Sequence, residues 1–233
     1  MAETSATPLG APVPGGPARR PEPTVLAGRH VRLVPFDVAR HAGTLYALSH
    51  GPEKEALWAY LFAAPFPDDA AFAAAYAEAA KKADPLLFTI EEAAGGRAVG
   101  HATFMRIEPA HRVIEVGNIL YTPPLQRTAG ATEAMYLMAR HAFEDLGYRR
   151  YEWKCNALNA PSRRAAERLG FTFEGLFRQH MIVKGLNRDT AWFAMLDTEW
   201  PRAKAAFEAF LDPGNFDADG RQRRKLEDIR AAL

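Results

Sequence analysis

Cysteine is nearly absent from this chain. Cys155 is the single one among 233 residues, which excludes an internal disulfide and a cysteine-rich zinc site. Net charge is almost as scarce: 29 Lys and Arg face 28 Asp and Glu, for a formal charge of +1. That leaves no electrostatic case for a nucleic-acid or acidic-membrane partner. No apolar run approaches the roughly 18 to 20 residues that cross a bilayer. The first residues also lack the basic start and apolar block of a secretory signal. The seven histidines show no ligand spacing with carboxylates or cysteines, so no metal is expected. These absences point to a cytoplasmic protein, monomeric or homodimeric, without nucleic-acid, membrane or metal partners.

What is present suits one core. Hydrophobic residues make up 48% of the chain, ordinary for a globular domain of this length. Six prolines fall between Pro8 and Pro23, so residues 1–23 read as a flexible leader. Residues 24–212 read as the domain, and residues 213–233 as a charged tail with an amphipathic helix from Arg221.

Within the domain, Val25 to Phe36 alternates loosely as an opening strand. Asp37 is placed to cap a helix to Ser49, and Ala56 to Leu61 reads as a second short helix. Pro67-Asp68-Asp69 starts another that ends near Lys81-Lys82. Leu86 to Glu91 and Ala98 to Ile107 read as a hairpin around Gly95-Gly96-Arg97, and Val113 to Tyr121 as a further strand. Apolar spacing from Arg127 to Leu146 predicts a long helix closed by Gly147. Arg150 to Asn156 follows as a strand, Asn159 to Leu169 as a short helix, and Phe171 to Leu196 as a terminal hairpin. The fold class is α/β (α+β), one domain with a mixed central sheet of about seven strands flanked by helices.

Two segments carry chemistry. Leu125 to Ala134 joins a strand to the long helix through small residues, which let backbone amides approach a ligand while the helix start favours a phosphate. Gln126, Arg127, Thr128 and Thr132 add side-chain donors. An ordinary loop and helix cap explains the same residues. Asn159-Ala160-Pro161-Ser162, followed by Leu169-Gly170-Phe171, is the second; a cap at Asn159 and a stop at Gly170 account for it locally.

In this order and at these separations, the segments resemble the GNAT superfamily, in particular the branch of ribosomal-protein N-terminal acetyltransferases. The matching elements are the Gly-containing turn Gln126 to Ala131, Thr132-Glu133-Ala134, Asn159 to Ser162, and Leu169-Gly170-Phe171. Glu174-Gly175, Gly185 and Arg188-Asp189 are similar too. The resemblance implies acetyl-CoA as co-substrate, its pyrophosphate on Gln126, Arg127, Thr128, Ala129, Gly130 and Ala131 with Thr132 adjacent. Its pantetheine would follow Ile119, Leu120 and Tyr121, with Asn159 and Ser162 on the cofactor arm. The pattern departs at Ala129, where a glycine is usual, and at Ala166, where many members place a tyrosine that protonates the departing thiolate. Ser162 or a water is then the candidate acid.

The implied reaction is N-acetylation of a primary amine: a protein N-terminus, an amino acid or a small amine. A neutral amine must attack, so a base must take its proton. Glu115 is the candidate, on the strand expected to flank the thioester; a solvated carboxylate or an ion pair with Arg112 explains it equally. A bulge in that strand would change which face its later residues share. Cys155 shares a face with Tyr151 and Trp153 and reads as packing, Lys154 as an exposed charge. A non-catalytic acyl-CoA-binding module remains the alternative.

Overall fold

The computed structural model describes residues 9–233. One eight-stranded sheet, in the order β1-β2-β3-β4-β5-β6-β8-β7, organises the chain. Its strands are β1 (Leu26–Ala27), β2 (Val31–Pro35), β3 (Leu86–Glu92), β4 (Ala98–Glu108), β5 (Val113–Tyr121), β6 (Arg150–Asn156), β7 (Thr172–Val183) and β8 (Leu186–Leu196). Every pairing is antiparallel except β5 with β6. The helices are α1 (Val38–Ser49), α2 (Asp69–Ala79), α3 (Ala129–Arg140), α4 (Ala160–Leu169), α5 (Trp200–Leu211) and α6 (Leu226–Ala231).

Two apolar clusters cover the sheet. Leu45, Trp58, Phe72 and Tyr76 pack with Leu87, Ala98 and Leu120 in the smaller. Met135, Met138, Phe143, Trp200 and Phe207 join Phe88, Phe104, Ile114 and Phe193 in the larger. Caps follow the local chemistry. The Asp37 and Asp68 carboxylates accept the amides of Arg40 and Ala71, and Asn159 accepts that of Ser162. Gly170 closes α4 at φ +102°, a backbone state that glycine reaches without strain.

Four segments differ from the sequence expectation. The opening strand is two short strands folded back on each other, with Leu26 opposite Leu33. The expected helix at Ala56 is a 3-10 segment, Pro52–Trp58, entered through Gly51 at φ +120°. The Trp58 indole donates to Ser49 O at 2.8 Å and ties that segment to the end of α1. The long helix stops at Arg140 and finishes in a wide turn over His141–Asp145. The tail helix is short, and Leu226 and Ile229 are buried, with the Arg230 guanidinium donating to the carbonyls of Glu167 and Arg168.

In the expected leader, residues 1–8 lie outside the described residues. Of the rest, Ala18 is buried, its amide bonded to Pro109 O at 3.0 Å, and the Arg19 amide bonds Leu146 O at 2.9 Å.

One buried carboxylate fixes the opening turn. Glu133, on α3, accepts the amides of Arg29, His30 and Val31 at 2.8, 2.6 and 2.9 Å. A Cβ at Gly28 would stand 2.4 Å from Glu133 Cδ, and a carboxylate held by three amides yields only by losing them. Gly28→Ala is therefore expected to cost about 1–3 kcal/mol. That corresponds to a fall of roughly 2 to 10 °C in Tm; an unchanged thermal melt would contradict the packing.

Candidate active site

β5 and β6 begin as paired parallel strands and then separate. Their register runs from Val113 opposite Arg150 to Val116 opposite Trp153 and goes no further, although both strands continue. The separation has a local cause in β5. Between the pairs His101–Leu120 and Thr103–Gly117, β4 advances two residues while β5 advances three. Asn118 takes φ +48° within this bulge. Strict alternation therefore ends at Asn118, and Asn118, Ile119, Leu120 and Tyr121 all line the opening. A cavity of about 470 Å³ fills it.

Glu115 stands where the strands part. It is 4% exposed, so the solvated alternative does not hold, and its partners are not Arg112. Lys154 Nζ lies 2.8 Å from its Oε2 and Arg106 Nε 3.1 Å from the same atom. Burial nevertheless pushes the Glu115 carboxyl above the usual carboxylate range, against the pull of both cations. Its Oε1 accepts no hydrogen bond from the described residues and faces Gly117, where a Cβ would approach to 3.3 Å. Glu115 is thus a buried carboxylate with one oxygen anchored and one open to the cavity it lines.

Lys154 is not the exposed charge the sequence suggested. Its side chain is 5% exposed, held between Glu115 and Glu152 Oε2 at 2.6 Å, with Nζ 3.9 Å from the centre of the Trp192 ring. Burial opposes ionisation of Glu152 too, but hydrogen bonds from Lys154 and Arg150 hold its carboxyl below the usual value. Of the two carboxylates flanking Lys154, Glu115 is the readier proton acceptor.

The start of α3 follows the end of β5 through a short connection, of which Gln126 lines the cavity. Thr128 caps it, accepting the Ala131 amide at 3.1 Å and donating to Leu125 O at 2.7 Å. Ala129 is the first helical residue, and Arg127, not Ala129, takes the left-handed backbone at φ +61°. Alanine fits there for that reason. The amides of Ala129 and Gly130 have no acceptor within the helix, so they are the donors available to an anion.

Other polar groups of the expected cradle are used internally. The Gln126 amide bonds Thr122 O at 3.2 Å and its side chain Tyr121 O at 2.9 Å. The Thr132 hydroxyl takes a bond from Arg168 at 3.1 Å, and the Tyr121 phenol donates to Ala131 O at 2.9 Å. A Cβ at Gly130 would meet Val31 Cγ1 at 2.9 Å, so its smallness serves packing of α3 on β2.

On the opposite wall, Asn159 and Ser162 line the cavity at the start of α4. The Asn159 carbonyl oxygen is committed to capping. Ser162 Oγ accepts from the Trp153 indole at 3.0 Å, and its hydroxyl also hydrogen-bonds Cys155. Ala166 is fully buried in the larger core, so nothing at that position reaches the cavity. Cys155 lines the cavity but is buried, and burial pushes its thiol up. That is the opposite of an activated nucleophile.

Several lining residues escaped the sequence reading. Arg106 reaches Glu115 from β4, where it sits at φ +48° in a second irregularity. His180 and Arg188 enter from the β7–β8 hairpin, and Tyr60 and Leu61 from the segment after α1, beside Phe62, whose aromatic ring already suits it to wall an acceptor pocket. In the hairpin the Arg188-Asp189 pair carried a sequence signal. Among the described residues no three His, Cys, Asp or Glu side chains are grouped to hold a metal ion, and no helix is long and apolar enough to cross a membrane.

Comparison with known proteins bears on the family and the fold. A solved GCN5-related N-acetyltransferase from Brucella melitensis is 46% identical, with a TM-score of 0.91 over 93% of this chain and 98% of that one. Two Bacillus subtilis proteins match shorter stretches. The uncharacterized N-acetyltransferase YnaD is 29% identical over 44% of this chain, and YdaF, provisionally named a ribosomal N-acetyltransferase, is 27% identical over 47%. In each, the match spans 59% of the relative's length. The acetyltransferase (GNAT) domain family matches residues 30–172, and this chain belongs to it.

Proposed function

We propose that the chain transfers an acetyl group from acetyl-CoA to a primary amine, directly, in a ternary complex. The observation that carries this reading is the buried Glu115 at the point where β5 and β6 part, with an open oxygen facing the cavity. Acetyl-CoA supplies the acetyl thioester. The α3 amides at Ala129 and Gly130, with Arg127 and Thr128 beside them, receive its phosphates; Gln126, Ala131 and Thr132 shape that helix start. Ile119, Leu120 and Tyr121 border its arm on one side and Asn159 and Ser162 on the other.

Glu115 Oε1 takes the amine proton, and the raised affinity of its carboxyl for protons suits the task. Ser162, on the cavity wall, is the candidate to protonate the departing thiolate, the role that Ala166 cannot fill, and its hydroxyl would exchange its bond to Cys155 for that sulfur. Cys155 packs and takes no covalent part.

A second reading, a non-catalytic acyl-CoA-binding module, is favoured by Ala166 alone. Two measurements separate them. Acetyl-CoA at about a hundred times its Kd is expected to add roughly 2.7 kcal/mol of stability under either reading. Release of CoA thiol in the presence of an amine panel is expected only of the enzyme. Stabilisation without thiol release from any amine would leave the binding module standing.

A further inference from the structure

The acceptor end of the cavity carries a charge pattern that the transfer chemistry does not use. Its lining holds three cations, Arg106, Lys154 and Arg188, against one carboxylate, Glu115. Arg106 and Lys154 are both spent on Glu115. Arg188 feels the Glu115 charge through space but forms no ion pair with it among the described residues. It is 7% exposed, and among the described residues its guanidinium has neither a carboxylate partner nor a hydrogen-bond acceptor. Its Nε is a buried donor without a partner. The guanidinium carbon lies 5.2 Å from the centre of the Phe62 ring, a contact that holds the cation without neutralising it. A buried, unpaired guanidinium is costly unless something pairs with it.

The acceptor end is also roofed. The Tyr60 phenol donates to Leu158 O at 3.1 Å, and Lys184 Nζ donates to Trp58 O at 2.6 Å. These bonds tie the segment after α1 to the turn before α4 and to the β7–β8 turn, across the cavity that Tyr60, Asn159 and Met181 line. Such a roof leaves room for a compact acceptor beside the open Glu115 oxygen.

Resting on the N-acetyltransferase reading, we infer that the acceptor is a small amine bearing a carboxylate, and that Arg188 binds that carboxylate. The planar fork of the guanidinium matches a carboxylate in two parallel bonds. The amine of the same molecule would then face Glu115, and a polyamine, bringing a second positive charge to this end, would be rejected.

Paired acceptors test this. Thiol release is measured with free amino acids (glycine, alanine, aspartate, glutamate), with their carboxamides, and with short peptides of neutral and acidic N-terminal residues. In parallel, the thermal melt of the enzyme without acetyl-CoA is followed as the same free amino acids and carboxamides are added. Wild type is expected to prefer an acid over its carboxamide by roughly 10- to 100-fold in kcat/KM, and the acid alone to raise Tm.

Arg188→Gln should collapse that preference toward one, chiefly through KM, and abolish the Tm shift; Arg188→Lys should restore part of both. Equal rates on acid and carboxamide, or a preference that survives Arg188→Gln, would overturn the proposal. Neutral peptides turned over faster than every free acid would overturn it as well. Tm shifts by the acids, lost in Arg188→Gln, without thiol release from any amine would sustain the carboxylate site while removing the transferase reading. Neither shift nor release would remove both.

Discussion

Glu115→Gln is expected to lower kcat by about 10²- to 10⁴-fold, the usual worth of a positioned general base. Glutamine keeps the shape and retains an oxygen for Lys154 and Arg106, but it accepts no proton. Lys154 stays paired with Glu152 at 2.6 Å, so the variant is not expected to lose its fold. The pH profile is the sharper readout. Burial raises the affinity of the Glu115 carboxyl for its proton, so kcat/KM of the wild type should fall as pH drops through that raised value. The fall should begin above the ordinary carboxylate range. In the variant this acid limb should vanish, while acetyl-CoA affinity, measured by thermal shift, stays close to wild type. A variant that turns over at the wild-type rate with the same limb would remove Glu115 from the reaction.

The second large effect concerns stability. Lys154→Met is expected to destabilise the fold by about 3–5 kcal/mol, because a buried cation is removed from between two carboxylates that remain. For a domain of this size that is a loss of about 10 °C or more in Tm. Methionine fills much of the lysine stem and can still rest on Trp192, so the effect is chiefly electrostatic. Its sign with pH follows from the two carboxylates. Left facing each other without the cation, Glu115 and Glu152 would bind protons more readily folded than unfolded. Stability of the variant should therefore fall as pH rises and recover toward acid pH. Adding Glu152→Gln to Lys154→Met should restore part of the loss at neutral pH. A Tm deficit that ignores pH would assign the effect to packing instead.

The strands and caps were legible because their causes are local. β5 and β6 fall at Val113–Tyr121 and Arg150–Asn156 as the apolar runs predict, and Asp37, Asp68 and Asn159 cap the helices that follow them. Of the candidate residues in contiguous motifs, Gln126, Asn159 and Ser162 line the cavity. What escaped was set by neighbours distant in sequence. Lys154 looks like a surface charge within β6; only the adjoining β5 and β8, bringing Glu115 and Trp192, make it a buried one. Arg188 reads as a hairpin arginine until Phe62 and the cavity are placed beside it. Irregular backbone at Arg106 and Asn118 has no periodic signature, although both residues decide what the cavity meets.

The three amides that Glu133 receives also order events in time. Their acceptor lies 104, 103 and 102 residues further along the chain. A nascent chain therefore carries the turn at Arg29 to Val31 with its donors unmet until α3 has been synthesised. Closing so long a loop is slow, since its entropy is lost before the contact returns anything. The first hairpin of the sequence is thus expected among the last parts to set, and it does so on the helix whose start is the proposed phosphate site.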